Sequence, residues 1–83
     1  MEIIFTNHLT EKAEKRQISM DVVRECLKNP DYIMPDPKDD ELKWYVKKHS
    51  ERCLVVVVKE EAGYYKCITV FFDRRLRRRG LCK

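Results

Sequence analysis

The sequence predicts one α+β domain, with a short N-terminal strand, two helices and then a three-stranded antiparallel meander against which the helices pack. Three observations lead there. An apolar stripe at helical spacing lies between residues 19 and 28. A continuous β-branched run lies at Leu54–Val58. The strand-like segments are consecutive and joined by loops too short for a crossover.

Glu2 to Phe5 is short and apolar and reads as the first strand. Thr6 or Asn7 supplies an N-cap oxygen for a helix over 8–16, with Leu9 and Ala13 one turn apart on its inner face. Gln17-Ile18 interrupts the pattern, and Ser19 caps a second helix. Its Met20, Val22, Val23, Cys26 and Leu27 fall within an arc of roughly 160° at ~100° per residue. Asn29-Pro30 stops it. Residues 31–41 begin with a short extended piece and become an acidic surface loop with two prolines. Leu42 to Lys48 alternates, with Leu42, Trp44 and Val46 on one face and Lys43, Tyr45 and Lys47 on the other. Leu54 to Lys59 suits a central strand covered on both sides. Glu60–Gly63 is a hairpin loop, and Tyr64–Phe72 returns as a strand.

A chain of 83 residues supports one modest core. The boundary falls at residue 73, with a single domain over 1–73 and an arginine-rich tail over 74–83. Residues 1–73 hold 12 Lys and Arg against 14 Asp and Glu, whereas residues 74–83 hold six basic residues and no acid. A near-neutral body with a cationic arm points to phosphate as the arm's target, and RNA is the expected partner. An acidic protein is the other partner such an arm fits, and pairing with the acidic loop Asp36–Glu41 is a third use for it.

The longest apolar run is far below the ~20 residues of a membrane span, and Met-Glu-Ile-Ile-Phe-Thr-Asn-His lacks the features of a signal peptide. A cytoplasmic protein is expected. Cys26, Cys53, Cys67 and Cys82 include no C-x-x-C pair, and neither histidine adjoins one. They are expected to be reduced thiols packed as small hydrophobes, with no metal and no cofactor.

Phe5-Thr6-Asn7-His8, Arg16, Ile18-Ser19, Val22 or Val23, Leu27, Asn29-Pro30-Asp31 and the strand Ile68-Thr69-Val70 together resemble a family of small uncharacterised bacterial and archaeal proteins. That family resembles a branch of the RelE-like toxins, within the barnase–EndoU–colicin–RelE group of RNA-cleaving domains. The resemblance implies two helices on an antiparallel sheet, metal-independent RNA cleavage, and an acidic antitoxin-like partner. The family carries glycine where this chain has Gln17, and the arginine tail is not part of its pattern.

Metal-free RNA cleavage needs a base for the 2′-hydroxyl, an acid for the leaving oxygen and cations for the charge that develops on phosphorus. His8, Lys12 and Arg16 recur every four residues and span roughly 80° of the first helix, forming a cationic stripe at a helix start that attracts phosphate. With Thr69 in support, they are the expected catalytic set. The same residues would equally serve as a helix-start hydrogen bond, a solvated stripe and a β-forming threonine. Lys43, Tyr45 and Lys47 could bind phosphate and stack a base, or form an ordinary solvated strand face. Arg74, Arg75, Arg77, Arg78 and Arg79 are the expected contacts to the RNA backbone.

Overall fold

A computed structural model describes residues 2–82 as an α+β domain with a five-stranded mixed sheet. The elements run β1 (Glu2–Phe5), α1 (Asn7–Lys15), α2 (Met20–Lys28), β2 (Tyr32–Pro35), β3 (Leu42–His49), β4 (Arg52–Glu61), β5 (Tyr64–Phe72) and α3 (Arg74–Arg78). Strand order is β1-β5-β4-β3-β2.

The expected meander is present as β3-β4-β5, but it forms only the middle of the sheet. The short piece after Pro30 pairs antiparallel with β3, Tyr32 opposite Val46. The first strand pairs parallel with β5, Glu2 opposite Tyr64. Each addition covers an edge whose N–H and C=O groups would otherwise stand unpaired. The architecture therefore has one more strand, β2, and one more helix, α3, than the expected N-terminal strand, two helices and three-stranded meander.

α1 and α2 lie on one face of the sheet. Leu9, Ala13, Ile18, Val23, Cys26 and Leu27 meet Tyr45, Leu54, Val56, Val58, Cys67 and Val70. The opposite face carries a second core of Trp44, Val46, Cys53, Val55 and Val57. The continuous apolar run of β4 is explained by this arrangement, since alternate residues serve alternate cores.

The caps are those the sequence offers. Thr6 Oγ1 accepts from Leu9 N–H at 3.1 Å, and Ser19 Oγ accepts from Val22 N–H at 3.2 Å. Thr6 also lies within hydrogen-bonding distance of β5, its hydroxyl 3.1 Å from the Cys67 carbonyl and 3.0 Å from that of Ile68. At the end of α1 Gln17 occupies a position where the resemblance implies glycine. Gln17 N–H donates to the Glu14 carbonyl and Ile18 N–H to the Ala13 carbonyl, a Schellman termination, with Gln17 at φ 56°. The turn places a β-carbon where the left-handed conformation disfavours one. Gln17→Gly is expected to raise unfolding stability by up to about 1 kcal/mol, read from the urea midpoint at unchanged slope.

Residues 74–82 are not an appended arm. Asp73 caps α3 by accepting from Arg75 and Leu76 N–H. Leu76 is 3% exposed against the second core, joined by Leu81 and by Cys82 at 6%. Gly80, at φ 72°, ends the helix with a second Schellman turn: Gly80 N–H donates to Arg77 and Leu81 N–H to Leu76. That turn directs Cys82 to Cys53, with which it forms a disulfide at a Cα–Cα distance of 5.8 Å. The expectation of four reduced thiols is corrected for this pair. Cys26 and Cys67 are free and buried in the helix-side core. Burial pushes their thiols up to about 12 and about 11.

Candidate anion-binding cleft

The β3–β4 hairpin turns through Ser50 and Glu51, both with positive φ, which is the geometry a two-residue hairpin loop needs. It places Arg52 and Cys53 beside Phe72 and Asp73 at the end of β5. α3 closes the other side. The result is a cleft of about 530 Å³ lined by Glu51, Arg52, Cys53, Phe72, Asp73, Arg74, Arg77 and Arg78.

Its charge is mostly positive. Arg52 lies over the Phe72 ring, 3.7 Å from the centroid, and His49 stacks near the same ring at 6.4 Å with planes 14° apart. Arg77 pairs with Glu51 at 3.1 Å and Arg75 with the buried Asp73 at 3.3 Å. Arg74, Arg78 and Arg79 have no acidic partner among the described residues. Burial acts to raise the Asp73 carboxyl. The Arg75 guanidinium and the N–H groups of Arg75 and Leu76 outweigh it and hold the group below the usual aspartate range. Asp73 is therefore committed as an anionic cap. The lining offers four guanidiniums, one of them stacked on the Phe72 ring, while its two carboxylates are already paired.

The expected catalytic set is not gathered. His8, Lys12 and Arg16 lie along α1 and its C-cap, with His8 and Arg16 exposed, and none of them lines the cleft. Thr69 is on the other side of the sheet. Strict alternation puts it on the face of Cys67 and Phe71, but Val58 pairs with Cys67 while Val57 pairs with Thr69, leaving Ile68 as an extra residue. This bulge, anchored by Thr6, reverses the alternation. Cys67 stays in the helix-side core, and Thr69 shares the opposite face with its partner Val57.

The lysine–tyrosine–lysine face is also corrected. Tyr45 is 3% exposed within the helix-side core, so its ring has no surface on which to stack a base. Its hydroxyl donates to Glu60, which also receives Lys43 Nζ at 2.7 Å. Lys43 and then Tyr45 hold the Glu60 carboxyl below its usual range. Lys47 donates to the Asn29 carbonyl at 2.7 Å. These polar ends tie the sheet to itself and to the end of α2. Within the acidic loop Asp36 is likewise occupied, accepting from Trp44 Nε1 at 2.7 Å and from Lys38 and Asp39 N–H. The tail's ion pairs go to Glu51 and Asp73 instead.

Of the cleft's cationic and aromatic residues, Arg52 and Phe72 are the two that sequence reasoning missed. They are 20 positions apart, and the one-residue shift at the bulge sets which part of β4 the end of β5 meets. No local pattern carries that register. Among the described residues, no three His, Cys, Asp or Glu side chains gather as a metal site. No described helix is long and apolar enough to cross a membrane.

Residues 5–72 match a family model described as a domain of unknown function, DUF4258. The chain belongs to this family. The match takes in β1's last residue through the end of β5. The DUF4258 match thus includes the Thr6 cap, the α1 stripe and the bulge, and stops before Asp73, α3 and Cys82. Comparison with curated proteins and with solved structures gives no match.

Proposed function

We propose that this DUF4258 domain is a non-catalytic module that binds the RNA backbone through its arginine cleft. It is the binding rather than the cleaving form of the RelE-like reading. The observation that carries it is the convergence of Arg52, Arg74, Arg77 and Arg78 on one cleft with Phe72. Guanidinium groups make bidentate contacts to phosphate, and an Arg–aromatic stack offers a platform for an unpaired base. RNA fits this better than an acidic protein surface, because the cleft pairs its cations with a flat aromatic group.

The separation of His8, Lys12 and Arg16 from Thr69 argues against cleavage by that set. An acid–base mechanism needs its groups within reach of one phosphate. The stripe on α1 is better read as solvated surface.

The test is fluorescence anisotropy of a labelled single-stranded RNA titrated with the protein over a range of salt. The logarithm of affinity is expected to fall linearly with the logarithm of salt, with a slope of about −0.7 for each phosphate engaged. No binding at low salt would overturn the proposal. So would turnover of the RNA that disappears in His8→Ala, because the module would then be an enzyme.

A further inference from the structure

The arginine segment is held by a small apolar anchorage, a capped short helix, two ion pairs and one covalent bond. α3 spans five residues, well short of the length at which a helix is stable alone. Its residues include Arg74, Arg75, Arg77 and Arg78, with Arg79 as the cap, so like charges crowd one and a half turns. Leu76 and Leu81 supply its apolar anchorage and Asp73 its N-cap. The Arg75–Asp73 and Arg77–Glu51 pairs relieve part of that repulsion, and the Cys53–Cys82 disulfide joins the segment to β4 at a residue that itself lines the cleft.

The sheet isolates this pair. Cys53 and Cys82 lie in the second core, whereas Cys26 and Cys67 lie in the first, on the other side of β4 and β5. Cys26 is further occupied in donating from Sγ to the Tyr45 carbonyl at 3.3 Å. Neither Cys26 nor Cys67 can exchange with the bridged pair without unfolding, whereas Cys53 lines the cleft.

We propose that the Cys53–Cys82 disulfide is a redox latch that assembles the arginine cleft, and that its reduction releases residues 74–82 and disperses the guanidiniums. The consequence for RNA rests on the reading of the cleft given above. The reductant is a dithiol. One of its thiolates attacks a sulfur of the bridge, displacing the other cysteine as thiolate and forming a mixed disulfide. The second dithiol sulfur, as thiolate, then displaces the first cysteine. The bridge gains two electrons and two protons, and the dithiol becomes a cyclic disulfide. In the released state Arg74 and Arg78 no longer share a cleft with Arg52. The phosphate contacts then have to be made from a flexible chain, at an entropic cost.

The experiment compares the full chain, air-oxidised and dithiothreitol-reduced, by limited trypsin digestion and by RNA anisotropy. Cys82→Ser serves as a variant that cannot latch. A tryptic map of the oxidised protein should contain a peptide linking Cys53 to Cys82. Cleavage after Arg74 to Arg79 should be on the order of tenfold faster in the reduced protein, because proteolysis follows the open population. RNA affinity should fall by about tenfold with loss of the cooperating contacts, and the salt slope should become shallower. Cys82→Ser should match the reduced protein and be indifferent to dithiothreitol. Equal cleavage in both states, or no linked peptide, overturns the latch. Redox-dependent cleavage with unchanged or absent RNA binding upholds the latch and overturns the assignment of RNA to the cleft.

Discussion

Replacing Arg52, Arg74 and Arg78 together by glutamine is expected to weaken RNA binding by tens-fold at ~0.15 M salt and to make the salt slope shallower by about 2. Three cleft cations are removed at about 0.7 of slope each, while Arg77 remains paired with Glu51. Arg74 and Arg78 have no acidic partner among the described residues, so their loss leaves no buried carboxylate unpaired. The control is a variant that removes cations elsewhere. Lys12→Gln with Arg16→Gln takes two charges from α1, outside the cleft, and should change affinity by no more than a few-fold. Equal losses in the two variants, after allowing for charge, would show that RNA senses net charge and not the cleft. Urea unfolding of each variant separates a binding defect from a folding defect.

Leu54→Ala is expected to cost about 2–5 kcal/mol of unfolding free energy, measured by urea denaturation. Leu54 is fully buried in the central strand, packed in the core that joins α1 and α2 to the sheet. Its neighbours are held by strands on both sides, and the cavity left by three missing carbons has little freedom to collapse. Leu76→Ala removes the same atoms from a site almost as buried, under a five-residue helix. There the covering segment can settle toward the sheet, so the cost should fall at or below the lower end of that range. A Leu76 loss equal to that of Leu54 would mean that α3 is as rigid as the sheet. It would also count against a segment that depends on its latch.

Much of the architecture was legible because it is local. Thr6, Ser19 and Asn29-Pro30 mark helix ends through hydrogen bonds and steric limits within a few residues. The period-2 pattern of Leu42, Trp44 and Val46 and the apolar run of β4 each follow from which faces are buried. The outer strands were not legible as paired strands. β1 meets β5 across some 60 residues, and a four-residue segment carries no signal of a partner that distant.

The candidate site divides in the same way. From the sequence alone, composition and spacing determined that the body is near neutral, that the basic residues gather after residue 73, and that His8, Lys12 and Arg16 share a helix stripe. Only the tertiary structure decided that the basic segment folds back. Leu76, Leu81 and Cys82 cover an apolar sheet face that would otherwise stand in water, and the resulting helix meets Arg52 and Phe72 across a cleft. It also decided that Thr69 leaves the helix side, because one bulged residue inverts every side chain beyond it. Charge and periodicity are properties of neighbours along the chain. A cleft depends on register between strands, and register is set by packing that no short stretch of sequence contains.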